Sequence, residues 1–191
     1  MIALILGRQG SGKTLLMVKM AYDYYKQGKI IYSNVKLNFP FNLIDYEDIV
    51  ECRLKNAVVL LDEIHQLLPA RNSLRKISRL IVDGFLSMVR KSDLIVLGTT
   101  QLDRKVDIRF REEADFIYEC SKYAFIDRYW QSVLHSQGFP KEIPIMVEVD
   151  VQEMFSEKWI KFDFIANNYF YLYDTNEIIK ITGLEKYEKK K

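Results

Sequence analysis

The sequence predicts an α/β fold: a mainly parallel sheet flanked by helices, with a small β-rich extension at the C-terminal end. Three observations predict it. A wholly apolar run near the N-terminus, Ile2–Leu6, leads through a glycine-rich loop into a stretch of helical periodicity. Two further apolar runs, Ala57–Leu61 and Leu94–Leu97, each end in polar residues, and a helical pattern lies between them, as in parallel α/β units. Beyond Cys120, Ile145–Val149 and Trp159–Phe164 alternate apolar with polar residues, the pattern of half-buried antiparallel strands. A chain of 191 residues with 49% hydrophobic content can bury one substantial core. Residues 1–120 are expected to form that core and 121–191 an aromatic-rich extension packed on it, a single domain overall.

The first strand, Ile2–Leu6, reads as buried and parallel. Gly7-Arg8-Gln9-Gly10-Ser11-Gly12-Lys13-Thr14 follows it and fits G-x-x-x-x-G-K-[ST]. A glycine turn with an incidental lysine would fit the same letters. The strand before and the helix after decide for a phosphate cradle, in which successive backbone N–H groups wrap an anion. Gly7 through Thr14 would then bind a nucleoside triphosphate. Lys13 would reach the β- and γ-phosphates, and the Thr14 hydroxyl would hold Mg²⁺.

The first helix should run from about Gly12 to Gln27 and stop at Gly28, a plausible residue for the turn beyond a helix end. Ile30–Ser33 reads as a second strand, and Ser33-Asn34-Val35 leads into a loop closed by Phe39-Pro40-Phe41-Asn42. A short helix is expected over Asp45–Glu51 with Asp45 as its cap. The strand starting at Ala57 ends in Asp62 and Glu63. A carboxylate pair there is where a P-loop protein places its Walker B acids. Asp62 would hold Mg²⁺ through water. Glu63, off the strand line, can orient and deprotonate an attacking water. Kinases acting on small acceptors do not need such a base, whereas hydrolytic motors do.

His65–Asn72 reads as a short helical turn broken by Pro69, with His65 a packing or hydrogen-bonding residue. From Leu74 to Val89 apolar residues fall at helical spacing, with Arg75, Lys76, Arg79 and Arg90 off the stripe. Gly84 in mid-helix marks close packing or a kink. The strand Leu94–Gln101 ends beside the place where P-loop ATPases sense the γ-phosphate. Gln101 is the candidate sensor, an amide able to donate to a phosphate oxygen or the attacking water. Asp103–Arg111 is a loop or short helix, Asp115–Cys120 a further core strand, and Gly138-Phe139-Pro140 a break. The aromatic strands beyond it suit core packing, with base stacking the alternative. Glu185–Lys191 is a mixed-charge tail expected to fray.

The net charge of +2 is unevenly spread: Arg71–Arg111 holds ten Lys or Arg against four Asp or Glu. Such a block serves as a phosphate-facing surface or as the solvated face of a helix with a subunit contact. No uninterrupted apolar run approaches the ~18 residues of a membrane span. The first six residues lack the basic region of a signal peptide. Cys52 and Cys120 are too few for a disulfide framework, and neither stands at metal-ligand spacing from His65 or His135. A reducing, cytoplasmic setting is expected.

The N-terminal loop, Leu61-Asp62-Glu63-Ile64-His65, the basic helix and Thr99-Thr100-Gln101 together resemble the FtsK/HerA group of P-loop ATPases. They are most similar to its Zot-like branch, the zonula occludens toxin family, and to related viral genome-packaging ATPases. Tyr32-Ser33-Asn34-Val35, Asp107-Ile108-Arg109 and Leu172-Tyr173-Asp174-Thr175-Asn176-Glu177 agree with it. The resemblance implies a RecA-like sheet of order 5-1-4-3-2 and oligomeric rings, often hexamers. It also implies an arginine supplied in trans, for which Arg90 is the first candidate and Arg109 the second. Filamentous-phage members usually carry a membrane span after the ATPase region, and this chain has none. A DNA-translocating motor that packages a genome is therefore the leading expectation, with double-stranded DNA and a capsid or virion-assembly protein as partners. The alternatives are an assembly or secretion ATPase that moves no DNA, a small-molecule kinase, and a nucleotide switch that barely turns over.

Overall fold

The computed structural model describes residues 1–44, 48–49, 53–66, 76–101, 106, 108–124, 145–156 and 158–178. Its strands are β1 (Ile2–Leu6), β2 (Ile30–Ser33), β3 (Val35–Leu37), β4 (Asn42–Leu43), β5 (Ala57–Leu61) and β6 (Ile95–Thr100). They continue with β7 (Phe116–Ala124), β8 (Ile145–Glu153), β9 (Lys158–Ile165) and β10 (Tyr173–Ile178). The helices are α1 (Lys13–Lys26), α2 (Lys76–Lys91) and the short α3 (Ile108–Glu112). Single 3₁₀ segments cover Ile64–Gln66 and Ala166–Leu172.

Eight strands form one sheet in the order β4-β2-β5-β6-β1-β7-β8-β9. From β4 to β7 neighbours run parallel, and β8 and β9 are added antiparallel. The five core strands β7-β1-β6-β5-β2 lie in the order the resemblance implies. In detail the sheet is wider: two-residue β4 lies outside β2, and the two alternating strands of the extension continue the core sheet. β9 is not the half-buried strand expected, because at the sheet edge only its Phe164 is buried while Trp159, Ile160 and Phe162 stay exposed. β10 crosses back to pair antiparallel with β3 in a separate two-stranded ribbon.

The apolar runs are buried because helices cover the sheet on both faces. Leu15, Leu16, Val18 and Ala21 of α1 pack with Ala3, Ile5, Val58, Leu60 and Leu97 on one face. Phe85, Met88 and Val89 of α2 pack with Ile2, Leu4, Val59, Leu61 and Val96 on the other. Alternation along each strand decides which residues meet which helix. Asp115 sets the register of β7 against β1: its carboxylate accepts from the Ile2 N–H at 2.6 Å and its own N–H donates to the Ile2 carbonyl at 2.8 Å.

α1 stops where expected. Gly28, at φ 85°, donates to Tyr25 O while Lys29 donates to Tyr24 O, the two-bond closure that satisfies the last carbonyls of a helix. Asp48 and Ile49 are helical, but Asp45, Pro69, Arg71, Arg75, Arg104, Lys105, Gly138–Pro140 and Glu185–Lys191 lie outside the described residues. Among the described residues no helix is long and apolar enough to cross a membrane.

Two glycines of α2 and β6 behave oppositely. A Cβ at Gly84 would meet nothing within 4 Å, so close packing is not its reason, whereas one at Gly98 would stand 2.8 Å from Ile64 Cδ1. Gly84→Ala should therefore raise unfolding free energy by about 1 kcal/mol. Gly98→Ala should lower it by about 1–3 kcal/mol through overpacking. Urea titrations of the two variants check both signs.

Candidate active site

The loop between β1 and α1 is shaped by what its glycines allow. A Cβ at Gly7 would stand 2.4 Å from Ser11 Oγ and 2.6 Å from Cys120 O. One at Gly12, where φ is 97°, would stand 2.7 Å from Val147 of β8. The loop is thus pressed between its own serine, β7 and β8, and only glycine fits either place. α1 begins with no side-chain cap and no acidic residue in its first turn. Its N–H groups and dipole face the loop uncompensated, which favours an anion.

Two buried groups suit an anion as well. Lys13 is only 6% exposed, donates to Arg8 O at 3.1 Å, and has no ion-pair partner among the described residues. Ser11 Oγ is buried without a hydrogen bond. A buried ammonium, a buried hydroxyl without a partner and an uncapped helix start are groups that phosphate oxygens can satisfy.

Asp62, one residue past β5, is held from three elements. Its Oδ1 accepts from Thr14 Oγ1 of α1 at 2.9 Å and from Thr99 Oγ1 of β6 at 2.5 Å. Its backbone is clasped by the Asn34 amide, whose Oδ1 accepts from Asp62 N at 2.7 Å and whose Nδ2 donates to Asp62 O at 3.0 Å. Ser33 braces the turn that presents Asn34 by accepting from Val35 N and donating to Val35 O. Thr14 and Asp62 offer adjacent hard oxygens, a donor set that suits Mg²⁺, which binds by one or two protein oxygens plus phosphate and water. Among the described residues no cluster of three or more His, Cys, Asp or Glu could hold a metal.

Glu63 takes φ of 51°, left-handed backbone that a non-glycine residue adopts at a cost of roughly 1–2 kcal/mol. The twist turns its side chain out of the strand line, and its N–H is secured on Thr99 Oγ1 at 3.0 Å. Oε1 accepts from Gln101 Nε2 at 3.3 Å. His65 Nδ1 lies 3.2 Å from Oε2, but out of hydrogen-bonding line, so that buried oxygen makes no hydrogen bond. A carboxylate with one such oxygen and a neighbouring amide can take a proton from water.

The fold thus brings together Gly7–Thr14, Asp62, Glu63 and Gln101. Gly7 to Ser11 and Gln101 line one cavity of about 740 Å³ with Glu119, Lys122 and Asp150. Arg90 and Arg109 are not brought there. β6 runs parallel to β1 with Val96 opposite Ile2, so the end of α2 lies at the edge of the sheet away from the loop. There Arg90 pairs with Glu113, and Arg109 pairs with Asp83 at 2.8 Å. Two positioning residues escaped the sequence reading. Thr99 stands two residues before Gln101 in the polar end of a strand, where the chain alone does not say which hydroxyl meets Asp62. Asn34 lay in a matching motif with no role attached.

A family described as AAA domain matches residues 1–127. No curated protein matches the sequence. Among solved structures, the N-terminal domain of zonular occludens toxin from Neisseria meningitidis superposes with a TM-score of 0.63 at 20% identity, covering 91% of this chain and 98% of that one. The genome packaging NTPase B204 from Sulfolobus turreted icosahedral virus 2, in complex with ATP-gammaS, gives 0.56 at 14% identity, covering 84% and 95%. The ATPase domain of G40P gives 0.53 at 14%, covering 85% and 80%. At these identities the likeness is one of fold.

Asn34→Ala would leave the buried N–H and C=O of Asp62 without their side-chain partner. Unfolding free energy should fall by about 2 kcal/mol, with weaker binding of Mg²⁺-nucleotide in a titration, whereas a surface loop asparagine would do neither. A pH effect follows from two more buried groups. Burial pushes the Cys120 thiol up to about 12, the nearby Lys13 charge pulling the other way. Burial, with the Asp62 charge adding to it, pushes the Tyr173 phenol up to about 12. The unfolded chain would ionise them near the ordinary 9.0 and 10.0, so the folded state holds their protons more tightly. Unfolding free energy should therefore fall as pH rises from 9.0 towards 12. Urea titrations across that range should show a shallower fall in Cys120→Ser and in Tyr173→Phe.

Proposed function

Since the chain belongs to the AAA-domain family of P-loop ATPases, we propose that it is the motor of an oligomeric ring that moves double-stranded DNA, packaging a viral genome in the host cytoplasm. One observation carries the reading. Glu63, forced into left-handed backbone, meets the amide of Gln101, which lines the cavity beside Gly7–Ser11. A base set for water, joined to an amide that can feel the γ-phosphate, suits hydrolysis coupled to movement better than transfer to a small acceptor.

In this reading Lys13 and the loop N–H groups bind the β- and γ-phosphates, and Ser11 donates its idle hydroxyl. Thr14 and Asp62 hold Mg²⁺, Asp62 through water; bound there, the ion neutralises charge on the phosphates. Glu63 orients water and takes its proton, and Gln101 responds to the loss of the γ-phosphate. The trans arginine is Arg90 or Arg109, either of which would first leave its ion pair. The fold shared with a genome packaging NTPase supports DNA as the load, and the basic stretch Arg71–Arg111 supplies cations for its backbone.

The fold shared with the toxin domain, and its higher TM-score of 0.63 against 0.56, favours a second reading. There the same ATPase drives virion assembly or secretion and moves protein. Phosphate release with and without duplex DNA, for wild type and Glu63→Gln, separates them. The motor reading expects stimulation by DNA that fades steeply with added salt. Glu63→Gln should lose about 10²–10⁴-fold in turnover while still binding ATP. Hydrolysis indifferent to DNA at low salt would favour the second reading. Full turnover in Glu63→Gln would remove Glu63 from the chemistry.

A further inference from the structure

We infer that β8 and the 3₁₀ segment after β9 form the seat of the nucleobase, taking a purine by its ring faces rather than by its edges. The inference rests on the reading of the Gly7–Thr14 loop as a triphosphate site.

The direction of the nucleotide is set by the catalytic end. Glu63 and Gln101 lie past the ends of β5 and β6, so the γ-phosphate must face that side of the loop. A triphosphate wrapped by the loop and reaching Lys13 then leaves it at the first turn of α1, by Thr14 and Leu15. A second cavity, of about 230 Å³, opens there. It meets the larger one at Gly10 and Lys122, which line both.

The two cavities differ in their acidic groups: Glu119 and Asp150 line the larger alone, while Lys122 lines both. Beyond Lys122, the loop and the first turn of α1, the smaller is walled by Ile145 and Val147 of β8 and by Ala166, Phe170 and Tyr173 of the segment that crosses from β9 to β3. Val147 is fixed by its contact with Gly12, and Ala166 is buried. Phe170 alone among these keeps much of its ring uncovered, at 46% exposure. An aromatic face left open beside apolar carbons is what a stacked base would cover. Stacking on a ring face does not tell adenine from guanine, so discrimination between the two is expected to be slight.

Competition binding with the full chain tests this, using ATP, GTP, CTP and inorganic tripolyphosphate against wild type, Phe170→Ala, Phe170→Trp and Lys13→Ala. Wild type should bind ATP and GTP within about threefold of each other and CTP more weakly, since stacking follows ring area. Phe170→Ala should weaken ATP by about tenfold, the scale of one base–aromatic stack, and leave tripolyphosphate unchanged. Phe170→Trp should keep wild-type ATP affinity, and Lys13→Ala should weaken all four. Because Phe170 is half exposed, its truncation should leave the melting temperature near that of wild type. An equal loss for ATP and tripolyphosphate in Phe170→Ala, or no loss for either, would overturn the seat while leaving the phosphate site standing. A wild type that binds neither ATP nor tripolyphosphate would overturn the phosphate site, and the seat with it.

Discussion

The junction at Asp62 is the constraint from which the site is built. One carboxylate oxygen receives hydroxyls from α1 and β6, and the backbone on either side of it is closed by an amide from the end of β2. Three elements that could slide along one another are thereby pinned at the ends of their strands. The enclosure is dry enough for each bond to matter, since a buried carboxylate or peptide group left unpaired costs more than a formed bond returns. The bonds within the junction also keep Thr14 and Asp62 adjacent, so the loop needs no large rearrangement to present its oxygens.

Next to that rigid point stands a strained one. Glu63 turns into left-handed backbone, and Ile64 then drops over Gly98 of the neighbouring strand. The bare glycine accommodates the Ile64 side chain at a distance no Cβ would permit. Thr99 anchors the turn by accepting the Glu63 N–H and by donating to Asp62. Strain held by packing and by one hydroxyl fixes the direction of the Glu63 carboxylate while its neighbour is immobilised.

The antiparallel strands of the C-terminal part belong to this machinery. β8 adds to the core sheet through β7, and its Val147 presses on Gly12 at the start of α1. The chain then crosses in front of α1 to pair with β3, which follows directly on Asn34. The extension thus touches both sides of the loop, at Gly12 and near Asp62, whose charge reaches Tyr173. A second part of the chain tied to the loop in this way can shape what binds there.

The division between what was legible in the chain and what was not follows from the range of the interactions. Ile2–Leu6, Ala57–Leu61 and the alternation of β8 declare themselves because burial on one or two faces imposes a period on neighbouring residues, whereas β9 alternates with only Phe164 buried. Gly7–Thr14 and Asp62-Glu63 are legible because phosphate chemistry demands those residue types at local spacing. Asn34 and Thr99 were not, because their roles depend on which strand lies beside which. Thr99 shares a face with Asp62 only once β6 is registered against β5, and Asn34 reaches Asp62 only once β2 flanks β5. The same holds for the arginines: helical spacing put Arg90 off the apolar stripe, but only the parallel pairing of β6 with β1 placed it at the far edge of the sheet. Sequence by itself determined the class of fold and the phosphate-binding chemistry, which are local. Tertiary structure alone decided the clasp on Asp62, the twist at Glu63 and the wall that β8 lends to the loop, because each is a contact between residues brought together by strand order.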